Sequence, residues 1–234
     1  MTAEHFRALH HGGTPLVLPN AWDPVSARLI ADAGFPAVAT SSGAVARVLG
    51  YDDGQLTPPS TMFAAVAQIA RAVDVPVTAD MEAGYGLPPK EFAERLLETG
   101  AVGCNLEDSA DGELVDVARQ ADYLAEVRAA AGAELVINAR VDTFVRRVDD
   151  PVTEAVRRGR EYRRAGADCV YPILAPLDHL AEVAEGVGGP INGHAAVGGP
   201  TPTELAAAGA TRISYGTSVH DYLMNYLREL LPRL

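Results

Sequence analysis

The sequence predicts a single (β/α)8 barrel of the TIM type that spans residues 1–234. Three observations lead to this fold class: the chain contains eight short apolar runs, amphipathic stretches separate them, and one pattern of residues recurs where stretch and run meet. Eight strands that alternate with helices are typical of this barrel. A doubly wound parallel sheet is the alternative, although such a sheet usually has fewer strands.

The eight apolar runs predict the strands. Most of them are rich in β-branched residues and apolar on both faces, as parallel strands covered on both sides are. The runs occupy residues 16–21, 37–42, 75–81, 102–108, 135–141, 169–174, 190–194 and 212–216.

The stretches between the runs predict helices. PVSARLIADAG and PKEFAERLLETG carry apolar residues at three- and four-residue spacing and end in glycine, which is a C-cap signal. The recurring phrases DAGFPAVA, ETGAVGCN, RAGADCVY and AAGATRIS each indicate a helix end, a glycine, a short loop and a buried strand. No linker interrupts this βα repeat, so we expect one domain.

Composition and charge exclude several classes of partner. Hydrophobic residues make up 48% and charged residues 21% of the chain, as in a soluble globular protein. The formal net charge of −12 argues against nucleic acid and anionic membranes, but not against a small anionic substrate held by local cations. Cys104 and Cys169 stand singly in apolar runs, which argues against zinc and disulfides and for a cytoplasmic protein. We expect neither a signal peptide nor a membrane span.

Acidic residues gather at the predicted carboxyl ends of two neighbouring strands. Asp80 and Glu82 share strand parity, and Glu107 ends the next run. Three acids at one mouth of a barrel would repel one another without a cation, and a set of oxygen ligands favours Mg²⁺ or Mn²⁺. The Gly-Tyr-Gly turn after Glu82 lets the backbone approach that site closely.

Other polar residues at the strand ends allow two interpretations each. Arg140 offers a bidentate fork for a substrate carboxylate, but it could instead pair with the acids. His194 could contact substrate or cap a loop. Asp108 and Asp142, taken singly, are interpreted as helix N-caps or solvated loop residues.

The ordered set PNAWD, TSSG, TADMEAGYG, NLEDS and INARVD resembles the isocitrate lyase/phosphoenolpyruvate mutase superfamily, and in particular its smaller mutase-like members. The likeness covers nearly the whole chain. It implies a barrel enzyme that depends on Mg²⁺ and acts on a small 2-oxo or 2-hydroxy acid. Such enzymes cleave or form a C–C or P–C bond through an enolate. The resemblance also implies a homo-oligomer.

The same resemblance assigns roles to individual residues. Asp80 matches the direct metal ligand, Glu82 an acid that holds metal-bound water, and Glu107 a third carboxylate around the metal. Asp53 matches a further carboxylate around the metal, although Asp52 beside it could take that place, and Asp53 and Arg140 are the expected catalytic residues. Residues of two more segments match the substrate site: Ser42, Gly43, Ala44 and Arg140 would hold the oxoacid carboxylate.

The chain departs from the family after Glu107. Isocitrate and methylisocitrate lyases carry a catalytic cysteine stretch there, whereas this chain reads SADGELVDVARQ. We therefore expect no isocitrate lyase activity. About eight residues separate the strand from the next helix, which is shorter than the gating loop of the mutases. Such a short loop suits decarboxylation of oxaloacetate, because this reaction needs little from a dedicated acid.

Three functions remain open on the sequence. The first is a Mg²⁺-dependent lyase or phosphonomutase-like enzyme, with an oxaloacetate decarboxylase favoured. The second is a barrel that binds oxoacids without catalysis. The third is a Mg²⁺-dependent aldolase whose metal acids lie on different strands.

Overall fold

The computed structural model describes residues 2–234. Eleven helices run in the order α1 (Ala3–Leu9), α2 (Pro24–Asp32), α3 (Ser42–Leu49), α4 (Pro59–Ala70), α5 (Pro89–Glu98), α6 (Val117–Ala131), α7 (Thr143–Arg146), α8 (Pro151–Arg164), α9 (Leu177–Val187), α10 (Pro202–Ala207) and α11 (Ser218–Leu230). Two 3₁₀ turns cover Gly132–Glu134 and Leu231–Arg233.

Eleven strands accompany them. They are β1 (Leu16–Leu18), β2 (Asn20–Ala21), β3 (Val38–Thr40), β4 (Val77–Asp80), β5 (Gly103–Glu107), β6 (Ser109–Ala110), β7 (Glu113–Leu114), β8 (Val136–Val141), β9 (Cys169–Pro172), β10 (Asn192–His194) and β11 (Arg212–Ser214). Every predicted run contains at least one of these strands. The observed strands are shorter, in part because Leu174 and Gly216 leave the extended region with φ values of 62° and 54°.

The strands form two parallel sheets, which confirms the predicted α/β class. One sheet has the order β2-β3-β4-β5-β8-β9, and the other has the order β1-β11-β10. Pro19, which cannot donate to a ladder, separates β1 from β2 within one predicted run. A parallel bridge between Val170 and Ile191 joins the β9 edge to the segment that leads into β10. All the carboxyl ends of these parallel strands therefore point to one edge.

Local sequence explains where the key helices begin. The side chain of Ser41 accepts the Ala44 N–H at the start of α3, and Asp150 accepts the Thr153 N–H before Pro151 opens α8. At the other end of α3, Gly50 adopts a left-handed C-cap with a φ of 85°. These caps fix the points at which the chain leaves the strands for the helices.

Two elements were absent from the sequence prediction. Helix α1 carries Phe6, which is fully buried against Leu16, Leu18 and Val136 near the amino ends of the strands. The second element is an antiparallel hairpin, β6–β7, directly after β5. Its tip, Asp111-Gly112, has positive φ at both residues (51° and 87°), as a type I′ turn requires. Within residues 2–234, no helix has both the length and the apolar character needed to cross a bilayer.

Candidate active site

The structure places the predicted site residues at the carboxyl edge of the larger sheet. Asp80 ends β4, Glu107 ends β5, and Arg140 lies opposite Glu107 in the parallel register of β5 with β8. The register also pairs Asp80 with Asn105, two residues before Glu107. The two acids therefore lie at the same edge, on neighbouring strands, as the sequence predicted.

Asp80 is held by the start of α3. Its Oδ2 atom accepts the backbone N–H of Ser42 at 3.1 Å and the Ser42 hydroxyl at 2.8 Å. The Asp80 N–H donates to the Thr40 hydroxyl at 3.0 Å. Both bonds to the carboxylate end on Oδ2, so Oδ1 is left for another ligand. Helix α3 thus orients the acid that, by the family resemblance, is expected to bind a metal directly.

Asp53 covers the same helix start from the loop after α3. Its Oδ1 atom lies 3.4 Å from the Ser42 hydroxyl. A Cβ added to Gly43 would lie 2.8 Å from Asp53 Oδ2 and 3.0 Å from the Thr217 methyl group, so only glycine fits there without movement. Ser42, Gly43 and Ala44 are all buried. Asp53, rather than Asp52, is the acid whose side chain touches this segment.

Glu82 is tied into a strained loop. Its Oε1 atom accepts the Tyr85 hydroxyl at 2.7 Å, and its Oε2 atom accepts the Gln55 N–H at 2.5 Å. Gln55 in turn accepts the Tyr85 N–H at 2.7 Å. All three residues have positive φ, at 48° for Glu82, 56° for Tyr85 and 64° for Gln55. Left-handed backbone at non-glycine residues costs energy and concentrates at functional sites, which supports a functional role for this loop.

The acids are buried beside too little positive charge. Burial raises the pKa of Glu107 to about 8, although the Arg140 charge opposes the rise. Burial likewise raises the pKa of Glu82 to about 7, against the hydrogen bond from Tyr85. The pKa of Asp80 also rises because of burial, while Arg140 and the bonds from Ser42 oppose it. A cation among these carboxylates would offset their desolvation.

Arg140 is engaged by two acids. Its Nη1 atom lies 2.5 Å from Glu107 Oε2, and its Nε and Nη2 atoms donate to Asp142 at 2.7 and 3.0 Å. These contacts use three of the five N–H groups of a guanidinium, so one remains on Nη1 and one on Nη2. Arg140 therefore forms ion pairs with the acids, which was one of its two interpretations. It also keeps two N–H groups without a protein acceptor, so the other interpretation, a contact with substrate, stays open.

Asp108 and Asp142 differ from the sequence interpretation. Both side chains are fully buried, so they are not solvated loop residues. Asp142 stands before α7 but makes no side-chain cap there. It accepts the Ser109 hydroxyl at 2.5 Å in addition to the Arg140 fork. Asp108 accepts the Asp142 N–H at 2.8 Å, the Tyr162 hydroxyl at 2.8 Å and Arg158 at 3.0 Å.

His194 ends β10 at the same edge. Its Nδ1 atom lies 2.7 Å from the Tyr171 hydroxyl, and the two rings stack with centroids 6.3 Å apart. Burial lowers the pKa of His194 to about 4, and the charge of Arg140 adds to this effect. His194 is therefore a neutral imidazole near the Arg140 guanidinium, and its Nδ1 atom already has a hydrogen-bond partner in Tyr171.

The donor set fits a hard divalent cation in its chemistry. Asp80, Glu82 and Glu107 supply oxygen atoms alone, which suits Mg²⁺ or Mn²⁺. Across residues 2–234, however, no group of three His, Cys, Asp or Glu side chains stands close enough to form a ready-made cage. The bonds of Glu82 to Tyr85 and Gln55, and of Glu107 to Arg140, explain this spread. Asp80 Oδ1 is the oxygen best placed for direct ligation.

Sequence reasoning missed four partners of the site: Gln55, Ser109, Tyr171 and the Arg158–Asp108 pair. The Asp-Gly dipeptide at 111–112 is a hairpin signal and could have revealed the fold of the segment that carries Ser109. The contacts of Gln55, Tyr171 and Arg158 join residues far apart in the chain, and local spacing carries no signal for them.

Comparisons with known proteins extend over the whole site. The profile of the phosphoenolpyruvate phosphomutase family matches residues 6–234. An uncharacterised protein of Mycobacterium tuberculosis is 35% identical over 213 residues, which are 91% of this chain and 81% of that protein. An oxaloacetate decarboxylase of Pseudomonas savastanoi pv. phaseolicola is 32% identical over 200 residues, which cover 80% of this chain and 68% of that enzyme.

A solved structure agrees with these relatives. A protein from Burkholderia cenocepacia J2315, described as a phosphonomutase, superposes with a TM-score of 0.91 at 38% sequence identity. The superposition covers 99% of each chain. The likeness thus includes every strand that carries a residue of the candidate site.

Proposed function

This chain belongs to the phosphoenolpyruvate phosphomutase family, within the phosphoenolpyruvate mutase/isocitrate lyase superfamily, and we propose that it cleaves a carbon–carbon bond of a small 2-oxo acid. Decarboxylation of oxaloacetate is the favoured reaction. The observation that carries this proposal is the meeting of Asp80, Glu107 and Arg140 at one strand edge. The buried acids at this edge outnumber the one guanidinium beside them, and that guanidinium keeps two N–H groups without a protein acceptor.

The relatives support the choice of substrate class. One curated relative, at 32% identity, is an oxaloacetate decarboxylase, and this chain covers 68% of its length. The segment after β5 supports it further. It carries no cysteine, histidine or lysine between Asp108 and α6, so it offers no residue to match the catalytic cysteine of the isocitrate lyases. We therefore propose that the protein does not cleave isocitrate or methylisocitrate.

We propose Mg²⁺ or Mn²⁺ as the cofactor. Asp80 would hold the cation through Oδ1, and Glu82 and Glu107 would hold it through water. When bound, the cation stabilises the negative charge that develops on a keto oxygen. The same oxygen donors are the buried carboxylates whose pKa values lie above the ordinary range.

The residues of the chain would position the substrate. The two remaining N–H groups of Arg140 would hold the carboxylate next to the keto group. At the start of α3, the Gly43 N–H has no partner within the helix and would hold the other side of that carboxylate. The Ala44 N–H would join it by exchanging its 3.4 Å bond to the Ser41 hydroxyl for one to the substrate. His194 would border the same space with a neutral ring, and Asp53 would fix the start of α3.

The proposed chemistry needs no acid from the hairpin. The bond between C3 and the C4 carboxylate of oxaloacetate breaks, and CO₂ leaves. The electron pair of that bond passes into the enolate of pyruvate, and C3 then takes a proton from water. Arg140 and α3 contribute by holding the C1 carboxylate and the keto group in the plane that this electron flow requires.

We also propose that the two parallel sheets close into one eight-stranded (β/α)8 barrel within a single domain. Two features support closure: the Val170–Ile191 bridge links β9 to the β10 side, and β1 and β2 belong to one run divided by Pro19. If β1 and β2 count as one strand and the bridge counts as a pairing, each of eight parallel strands has a neighbour on both sides.

Both cysteines are free and buried, which fits the proposed cytoplasmic location.

Turnover of oxaloacetate with and without EDTA tests the proposed function. The release of pyruvate is measured in Mg²⁺ or Mn²⁺, and the rate with metal alone is subtracted. We expect turnover that EDTA abolishes and that Asp80→Asn lowers by at least about a hundredfold. Asp32→Asn, on the exposed end of α2, is the matched control and should retain full activity.

Three other results would separate the alternatives. Binding of oxalate without turnover would indicate a non-catalytic oxoacid-binding barrel. Turnover that persists in EDTA would overturn the metal dependence. Turnover of aldol substrates with intact activity in Asp80→Asn would favour an aldolase whose metal acids lie on other strands.

A further inference from the structure

A line of buried charges runs from helix α8 to the candidate site. It begins at Arg158 on α8, passes through Asp108 after β5 and Asp142 after β8, and ends at Arg140. Asp108 and Asp142 are both fully buried, and Arg158 is 5% exposed. A buried carboxylate persists as an ion only with hydrogen bonds and a counter-charge, and each member here has both.

Asp142 binds one edge of the Arg140 guanidinium, the edge formed by Nε and Nη2, which we call the side edge. It accepts Nε and Nη2 at 2.7 and 3.0 Å, which is a bidentate pair on one edge of the guanidinium. A pair with two parallel bonds fixes the plane of the guanidinium as well as its position, which one ion contact does not. The Ser109 hydroxyl donates to Asp142 Oδ2 at 2.5 Å, and Arg146 donates to that hydroxyl at 3.0 Å. The carboxylate of Asp142 is thereby fixed on both oxygens.

Asp108 fixes the backbone of Asp142 rather than its side chain. Its Oδ1 atom accepts the Asp142 N–H at 2.8 Å. Its Oδ2 atom accepts Arg158 at 3.0 Å and the Tyr162 hydroxyl at 2.8 Å, both from α8. Arg158 also donates to the Val115 carbonyl at 2.9 Å, so α8 holds both ends of the segment that contains β6 and β7.

We infer that Asp142 is the positioning residue of Arg140, and that Asp108 with Arg158 and Tyr162 holds Asp142 in place. The consequence is that the side edge of Arg140 is not available to substrate, which must approach the outer N–H groups on Nη1 and Nη2. This inference rests on the proposed function only for what Arg140 binds. The position of Arg140 itself can be measured without any substrate.

The test compares Asp142→Asn with the wild type. Asparagine has nearly the same shape, but it lacks the charge and presents one acceptor oxygen in place of two. Asp150→Ala is the matched control, since it removes the exposed N-cap of α8 and destabilises the fold without touching Arg140. Tyr162→Phe removes one of the bonds to Asp108 and should give an intermediate effect.

Two measurements are made on each variant. The first is the solvent-exchange rate of the Arg140 Nε–H group by NMR on protein with ¹⁵N-labelled arginine. We expect slow exchange in the wild type and in Asp150→Ala, and at least about tenfold faster exchange in Asp142→Asn. The second is calorimetric titration with oxalate in the presence of Mg²⁺, in which Asp142→Asn should bind about 10- to 100-fold more weakly.

The outcomes distinguish this inference from the proposed function. If wild type fails to bind oxalate but Arg140 exchange still responds to Asp142→Asn, the positioning stands and the substrate assignment fails. If Asp142→Asn leaves both the exchange rate and the oxalate affinity at wild-type values, Asp142 does not position Arg140. If Asp150→Ala lowers oxalate affinity as much as Asp142→Asn does, the effect reflects stability alone and the inference is overturned.

Discussion

Arg212, the first residue of β11, is the most unusual residue of the interior. It is fully buried, and Nη2 donates to Asn105 Oδ1 at 3.1 Å. Its Nε and Nη1 atoms find no acceptor among residues 2–234. The guanidinium lies over the Phe6 ring at 5.9 Å, and burial lowers the pKa of Arg212. Arg158 is the opposite case, because Asp108 and Glu154 both pair with it.

The same substitution should therefore have opposite effects at these two arginines. Arg212→Met removes a buried charge that lacks a carboxylate partner, and we expect the free energy of unfolding to rise by about 1–4 kcal/mol. Arg158→Met leaves Asp108 buried and unpaired, and we expect it to fall by about 3–5 kcal/mol. Urea unfolding followed by circular dichroism measures both values. A loss of stability in Arg212→Met would mean that Arg212 has partners beyond the protein groups named above.

At the scale of residues, the sequence predicted which side chains share one edge of the strands, and their roles in binding stay predictions. Asp80, Glu107 and Arg140 share that edge because parallel strands bring their carboxyl ends together, so position in the strand pattern implies position in space. The roles of Asp108 and Asp142 were missed because each depends on residues from α8 or the hairpin. A carboxylate at a strand end has the same local sequence whether water or Arg158 surrounds it. Burial, which decides between these states, is a property of the complete fold.

Helix α11 leaves most of its side chains exposed to solvent. Among its residues His220 alone is buried, whereas several large apolar side chains are exposed: Tyr222, Leu223, Met224, Tyr226 and Leu227. Its inner side borders a groove of about 1120 Å³, lined in part by Trp22, Val48, Met224 and Leu231. Apolar side chains exposed beside a groove in this way are typical of interaction sites.

We propose that a second copy of the chain covers α11, as expected for a homo-oligomer. One copy carries both the groove and the exposed apolar face of the helix, which is what a symmetric interface between identical surfaces requires. Light scattering after size exclusion should show a dimer or larger assembly for the wild type. Tyr226→Glu, which places a charge on this face, should give monomer. Leu29→Glu is the control, since Leu29 is exposed on α2 and does not line the groove.

A monomeric wild type would contradict this proposal, as would an assembly that Tyr226→Glu leaves intact.

At the scale of elements, the apolar runs predicted all of the long strands because buried parallel strands have a distinctive composition. The hairpin and α1 were missed for different reasons. Strands β6 and β7 have two residues each, too few to show a period, and α1 precedes the first βα unit.

The whole molecule is acidic, and its charge is distributed unevenly over the fold. The eleven helices carry 15 acidic and 14 basic residues, so nearly all of the net charge of −12 belongs to the segments between them, including the carboxyl edge of the strands, where buried acids lie beside Arg140. The sequence could predict the order of the strands and their parallel direction from the βα repeat. It could not predict how the sheets meet at Val170 and Ile191, because that bridge joins segments through backbone atoms alone.

The fixed hairpin β6–β7 has a consequence for the timing of catalysis. Many enzymes of comparable size close a loop over the substrate, and the reopening of that loop limits kcat. Here the Ser109 hydroxyl, the Val115 N–H to Asp108 at 2.8 Å and the bond from Arg158 to Val115 hold the hairpin at both ends. A large, slow motion of the hairpin through solvent should therefore not limit the rate of turnover.

We expect kcat for oxaloacetate to stay constant as sucrose raises the viscosity of the buffer, with a high-molecular-weight polymer at equal bulk viscosity as the control. A kcat that falls in proportion to the sucrose viscosity would show that diffusive motion, of the hairpin or of the departing product, controls the rate.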